Sequence, residues 1–167
     1  MDTMPFMKRQ IVLLLLLLPL VARAETITTV IVVRHADRAN ITPDSPLSGL
    51  GMARAAELAR VLADVKVDAI YATQYVRTQQ TITPLAKEKG LTPVLFKAGD
   101  ERDLVADIRA RHSGGTVVIA SHSDRLPGLL RDVGVANPPQ IGTTEYDDLF
   151  IVTNGKLLTL RYGATQR

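Results

Sequence analysis

The sequence predicts an α/β fold of three layers, with a mostly parallel sheet flanked by helices on both faces and a C-terminal β-hairpin. Three observations predict it. Thr28-Thr29-Val30-Ile31-Val32-Val33 and Thr116-Val117-Val118-Ile119-Ala120-Ser121 are β-branched runs of the kind that form buried strands. Around them, apolar residues recur at helical spacing. Near the end, Asn154-Gly155 separates two apolar runs and suits a two-residue turn in which both residues take positive φ.

After the first strand, residues 36–46 form a polar, proline-containing surface loop. Ser48 is the expected cap of the first helix, which ends near Asp64. In it Leu58, Val61, Leu62 and Val65 share one face, while Arg54, Glu57 and Arg60 are expected to face water. Asp68-Ala69-Ile70-Tyr71-Ala72 is a second buried strand, and the next helix runs to Lys89 and stops at Gly90, with Arg77 near its amino end. Residues 93–96 suit a short edge strand, because proline is tolerated there. Residues 101–112 form an amphipathic helix with Leu104, Val105 and Ile108 inward, ended by Gly114-Gly115. Leu126, Leu129 and Leu130 mark a short helix stopped by Gly134, and Pro138-Pro139 marks an extended return path to the hairpin.

The first 24 residues have the layout of a secretory signal peptide. Lys8 and Arg9 precede an apolar stretch from Ile11 to Leu18, and Val21-Ala22-Arg23-Ala24 supplies small residues at alternate positions for cleavage after Ala24. A retained anchor is disfavoured, because a spanning helix needs about 20 apolar residues and Pro19 interrupts a shorter run. The expectation is an exported protein, periplasmic or secreted, whose single domain covers residues 25–167. The leader holds Lys8, Arg9 and Arg23 against Asp2, so the mature chain carries 17 basic and 16 acidic residues. That balance, with few aromatics for stacking on bases, argues against nucleic acid as a partner. With no cysteine, disulfides, thiolate catalysis and lipidated cysteine are excluded.

Two histidines, His35 and His122, follow the two strongest strand runs and so leave the sheet at one end, where ligands of open α/β sheets bind. Arg34 precedes the first. Such a pocket suits a phosphoryl group, whose transfer needs fixed cations around the oxygens and a nucleophile in line. Arg34, Arg77 and His122 can supply the donors, since guanidinium forks make paired hydrogen bonds to phosphate. His35 can be the nucleophile: nearby guanidinium groups favour its neutral ring, and its second ring nitrogen should donate to a fixed acceptor such as a backbone carbonyl. Arg38 and Thr42, in the loop that follows, are candidates for the phosphate pocket or the substrate entrance. His112 reads as structural, at a helix end where basic groups complement the dipole. A metal site from His35, His122, Asp37 and Asp124 is disfavoured, because adjacent arginines repel a cation and no close-spaced ligand motif is present.

In these residues the chain resembles the histidine phosphatase superfamily, the phosphoglycerate mutase-like proteins, and specifically its short single-domain branch. Arg34-His35-Ala36 is similar to that family's Arg-His-Gly/Ala signature, and Leu47-Ser48 through Gly51 resembles its Leu-Thr-x-x-Gly helix entry. Arg77-Thr78-Gln79-Gln80-Thr81 resembles its arginine-bearing helix start, and Ser121-His122-Ser123 its second histidine motif. The resemblance implies a phosphatase acting on phosphomonoesters or phosphohistidine. It implies a phosphohistidine intermediate on His35, with Arg34, Arg77 and His122 binding the phosphoryl group and no metal or organic cofactor. It also implies that the strands ending at the two histidines are neighbours. For the general acid it points to Glu101, after the third strand, with Asp100 beside it and Asp124 as the counterpart in the family's other branch. Relatives that cleave phosphohistidine need no strong acid, because imidazole leaves readily. The rival reading is a secreted module on the same fold that binds phosphate or another anion without turnover.

Overall fold

The computed structural model describes residues 28–163; the expected leader and its cleavage site lie outside the described residues. Strand β1 (Thr29–Arg34) leads to helix α1 (Gly49–Val61), β2 (Ala69–Thr73), α2 (Val76–Lys89), β3 (Val94–Phe96) and α3 (Glu101–Arg111). Then follow β4 (Thr116–Ser121), α4 (Leu126–Asp132), β5 (Asp148–Thr153) and β6 (Lys156–Arg161). The strands form one sheet in the order β3-β2-β4-β1-β5-β6. The first four run parallel, and β5 and β6 are antiparallel additions.

Alternating side chains of the central strands feed two cores. Val30, Val32, Val117, Ile119 and Phe150 pack with Leu104, Val105 and Ile108 of α3 and Leu126, Leu129 and Leu130 of α4. Ile31, Val33, Ile70, Val118 and Ala120 pack with Leu58 and Leu62 of the α1 segment and with Ile82 and Leu85 of α2. Each such Val, Ile, Leu or Phe side chain, taken from water, contributes about 1.5–3 kcal/mol. Burial on both faces is why these strands read as unbroken apolar runs rather than alternating ones.

The local signals act where the sequence placed them. The Ser48 side chain accepts from the Gly51 amide, Gly90 ends α2 in the left-handed conformation at φ 65°, and Asn154 and Gly155 take φ 51° and 71° in the hairpin turn. Among the described residues, no helix is long and apolar enough to cross a membrane.

One expectation on α1 is corrected. Arg54 does not face water: it is buried, its Nε 2.7 Å from Asp37 Oδ2 and its Nη1 donating to the Tyr162 carbonyl at 3.1 Å. The buried face of α1 includes Gly51, Arg54, Ala55, Leu58 and Ala59, so Arg54 lies on the helical stripe of the apolar residues. Val61, expected inward, is instead 36% exposed. Gly51 has its own reason, since a Cβ there would fall 2.2 Å from the Asp37 carbonyl oxygen. This close approach seats α1 against the loop that follows His35.

Candidate active site

The parallel pairing of β1 with β4 sets Arg34 opposite Ser121, and the His35 amide donates to the Ser121 carbonyl at 2.9 Å. His35 and His122 therefore leave adjacent strands together, with ring centroids 5.3 Å apart. His35 Nδ1 lies 2.9 Å from the Ala36 carbonyl oxygen. A carbonyl only accepts, so Nδ1 carries the proton and Nε2 keeps its lone pair. The Ala36 peptide is held in turn: its amide donates to Thr81 Oγ1 at 2.9 Å, and that hydroxyl donates to the Arg77 carbonyl at 2.7 Å.

Arg77 sits in the first turn of α2, an unfavourable place for a cation beside the helix dipole. Its compensation lies in the loop after His35. Nη1 donates to the Pro43 carbonyl at 2.7 Å and Nη2 lies 3.3 Å from His122 Nδ1. The same loop is tied to α2 by the Val76 amide on Asp44 Oδ1 and by the Leu47 amide on Gln80 Oε1, each at 2.8 Å.

His122 Nε2 lies 2.9 Å from Thr73 Oγ1, which lies 2.8 Å from Thr78 Oγ1, and Thr78 Oγ1 reaches the Tyr75 carbonyl at 2.8 Å. The carbonyl fixes the sense of this chain. Thr78 donates to it, Thr73 donates to Thr78, and His122 donates through Nε2, so His122 Nδ1 is free to accept from Arg77.

Arg34 is anchored differently. Its Nη1 meets three backbone carbonyls, Gly142 at 3.0 Å, Thr143 at 3.0 Å and Glu145 at 2.8 Å. Its guanidinium lies over the Tyr146 ring, 3.8 Å from the centroid. Tyr75 does the equivalent for Arg77 at 4.5 Å and meets His122 edge-on. Both arginines keep a buried Nε with no partner.

Burial is the largest influence on all four groups and lowers the pKa of each. For His35 the bond to Ala36 opposes it, while Arg34, His122 and Arg77 reinforce it, leaving the ring at about 3. For His122, burial and then Arg77 bring it to about 4. Both imidazoles are neutral at pH 7.

These groups line a cleft of about 270 Å³ with Arg38, Tyr75, Ala98, Ser123, Asp124 and Arg125. A roomier cleft of about 420 Å³ lies at the other end of β1, but it is mainly apolar and its cation, Arg109, is engaged by the Asp132 carbonyl. The smaller cleft is the one that gathers both imidazoles and the arginines.

Of the expected site residues, Arg34, His35, Arg77, His122, Arg38 and Asp124 meet there. Glu101 does not line it: its Oε1 accepts from the Gly99 amide at 3.1 Å, the local role that a carboxylate takes at a helix start. Asp100 lines a separate groove beside β3, and Thr42 is exposed and bonded to Asn40. Asp37, weighed as a metal ligand, is the partner of Arg54. Among the described residues, no group of three His, Cys, Asp or Glu could hold a metal ion. Sequence reasoning missed Tyr75, Tyr146 and Thr73. Tyr75 stands two residues before Arg77, the nearest thing to a signal, while Tyr146 is brought in from a distant loop.

Comparison with known proteins agrees with this fold. The family model for the histidine phosphatase superfamily (branch 1) matches residues 30–106, from β1 into α3. No curated protein matches the chain. Among solved structures, a mycobacterial glucosyl-3-phosphoglycerate phosphatase is 16% identical with a TM-score of 0.66, covering 83% of this chain and 100% of its own. The protein histidine phosphatase SixA complexed with tungstate is 20% identical with a TM-score of 0.65, covering 81% and 96%. A phosphoserine phosphatase from Entamoeba histolytica, in complex with 3-phosphoglyceric acid, is 16% identical with a TM-score of 0.60, covering 83% and 98%. Residues 30–106 thus match the histidine phosphatase superfamily, and the chain shares the fold of these solved phosphatases.

Proposed function

We propose that the chain is an exported, metal-independent phosphatase that hydrolyses phosphomonoesters or phosphohistidine through a phosphoryl group carried on His35. The observation that supports this reading most is that Arg34 and Arg77, each with a buried and unpartnered Nε–H, line one cleft with an imidazole whose Nε2 is free. A buried donor left unsatisfied costs about 1–3 kcal/mol, and phosphoryl oxygens satisfy both with charge-assisted bonds.

In the first step His35 Nε2 attacks phosphorus. An N–P bond forms while the bond to the leaving group breaks, and that group departs with the electron pair. Arg34, through its open Nε and Nη2 edge, and Arg77, through Nε, hold the charge on the equatorial oxygens. An arriving anion favours protonation of His122 at Nδ1, which gives up the bond it accepts from Arg77 Nη2 and turns to the phosphoryl group as a further donor. In the second step water attacks phosphorus, the N–P electrons return to Nε2, and inorganic phosphate leaves.

Proton supply shapes the substrate. Asp124 is the carboxylate in the cleft, but its side chain is exposed and sits 3.3 Å from Arg125 Nε. Groups that leave without a strong acid, such as imidazole or an aryl oxide, are favoured over alkoxides. A phosphoprotein or a small aryl-type phosphate outside the cytoplasm fits the reading, and export itself rests on the leader pattern of residues 1–24.

The test is phosphate release by purified protein from phenyl phosphate and from phosphohistidine, with His35→Ala as control. Turnover that disappears in the variant is expected. Saturable phosphate binding without any release would replace this reading with the non-catalytic module, and full turnover by His35→Ala would end it.

A further inference from the structure

Residues 135–147 contain neither helix nor strand, yet they place three carbonyls on one nitrogen of Arg34. The turn closes on itself, with the Gly142 amide donating to Glu145 Oε2 at 2.7 Å. It is closely packed, since a Cβ on Gly142 would meet that carboxylate at 3.0–3.1 Å and the Glu145 side chain would have to shift. The next residue, Tyr146, lays its ring against the guanidinium, and the same ring is 5.9 Å from that of His35.

These contacts constrain Arg34 in two directions. The carbonyls hold one nitrogen and stop the fork from swinging about its stem, while the ring supports a face and stops the plane from tilting. What remains is the Nε and Nη2 edge, with Nε buried and unpartnered. Bidentate recognition of phosphate depends on that plane, because both N–H bonds must point at two oxygens together.

We propose that Tyr146 is a positioning residue which, with the 142–145 turn, fixes the Arg34 guanidinium so that its open edge faces the phosphoryl group. The proposal builds on the phosphatase reading and adds that the return loop is part of its binding apparatus. Tyr146 acts through Arg34: the ring face is what matters and the hydroxyl is dispensable.

A double-mutant cycle on inorganic phosphate binding, measured by calorimetry, tests this without requiring turnover. Tyr146→Phe should bind within about twofold of wild type, and Tyr146→Leu about tenfold more weakly, the scale of a desolvated cation–π contact. In an Arg34→Gln background, Tyr146→Leu should change binding by less than about twofold. Equal losses in both backgrounds, or no loss in the single variant, would overturn the proposal. If Arg34→Gln does not fold, NMR of the Arg34 side chain in Tyr146→Leu decides: fast rotation and Nε–H exchange against a rigid wild type supports the role, and unchanged behaviour overturns it. A cycle that holds in a protein releasing no phosphate would reject the phosphatase reading and leave this assignment standing.

Discussion

Lowering the pH from 7.5 to 5.0 should cost this protein about 4 kcal/mol of stability through His35 and His122 alone. Both rings are nearly inaccessible, at 4% and 7% exposure, and the fold holds them at about 3 and about 4 against an ordinary 6.5. In the unfolded chain each takes a proton as pH falls through 6.5, whereas in the folded chain neither does until far lower. Between those limits the unfolded state binds more protons, so stability is whole above 6.5 and drains away toward 3–4. At pH 5.0 the deficit is about 2 kcal/mol per ring, from about 1.4 kcal/mol for each pH unit below 6.5. Urea unfolding of wild type and His35→Gln at both pH values isolates one ring, because the carboxylates contribute alike to both proteins. Wild type should lose about 2 kcal/mol more than the variant. The same pH dependence in the two proteins would mean that His35 takes up its proton as readily in the folded chain as in the unfolded one.

The buried pair of Arg54 and Asp37 gives a second outcome: Arg54→Met should cost about 3–5 kcal/mol in urea unfolding, because it strands a buried carboxylate, and adding Asp37→Asn should recover much of that. Gly51→Ala should destabilise by about 1–3 kcal/mol and lower turnover of phenyl phosphate, because its Cβ would push the Asp37 backbone two residues beyond His35. Glu101→Gln should leave the ratio of alkyl to aryl phosphate turnover unchanged, since its carboxylate serves the Gly99 amide, and a selective loss on alkyl phosphates would return it to the role of acid.

The architecture was legible because it rests on local chemistry. β-branched runs, the Ser48 cap, Gly90 and Asn154-Gly155 each state their backbone preference in their own residues, and all found that place. His35, His122 and Arg77 were legible because strand ends and a helix start are positions that a pattern reveals. Arg54 was misread because its charge outweighed its spacing: it lies four residues before Leu58, on the buried stripe, but the Asp37 that permits its burial sits in a loop without periodicity. The anchors of Arg34 could not be read at all. They are carbonyls, which every residue has, presented by a loop whose course depends on where α4 ends and β5 begins. Glu101 was singled out by its position along the chain, and only the coordinates show that its carboxylate turns back on its own helix start.

The central claim is that a neutral His35, held through Nδ1 by the Ala36 carbonyl, takes the phosphoryl group on Nε2. Phosphorus NMR of protein mixed with phosphohistidine substrate and quenched in alkali, where phosphoramidates survive, tests it most directly. A single phosphorylated histidine, substituted at Nε2, should map to His35 and be absent from His35→Ala. Phosphate released with no such adduct, or a phosphoryl group on Nδ1 or on another residue, would contradict it.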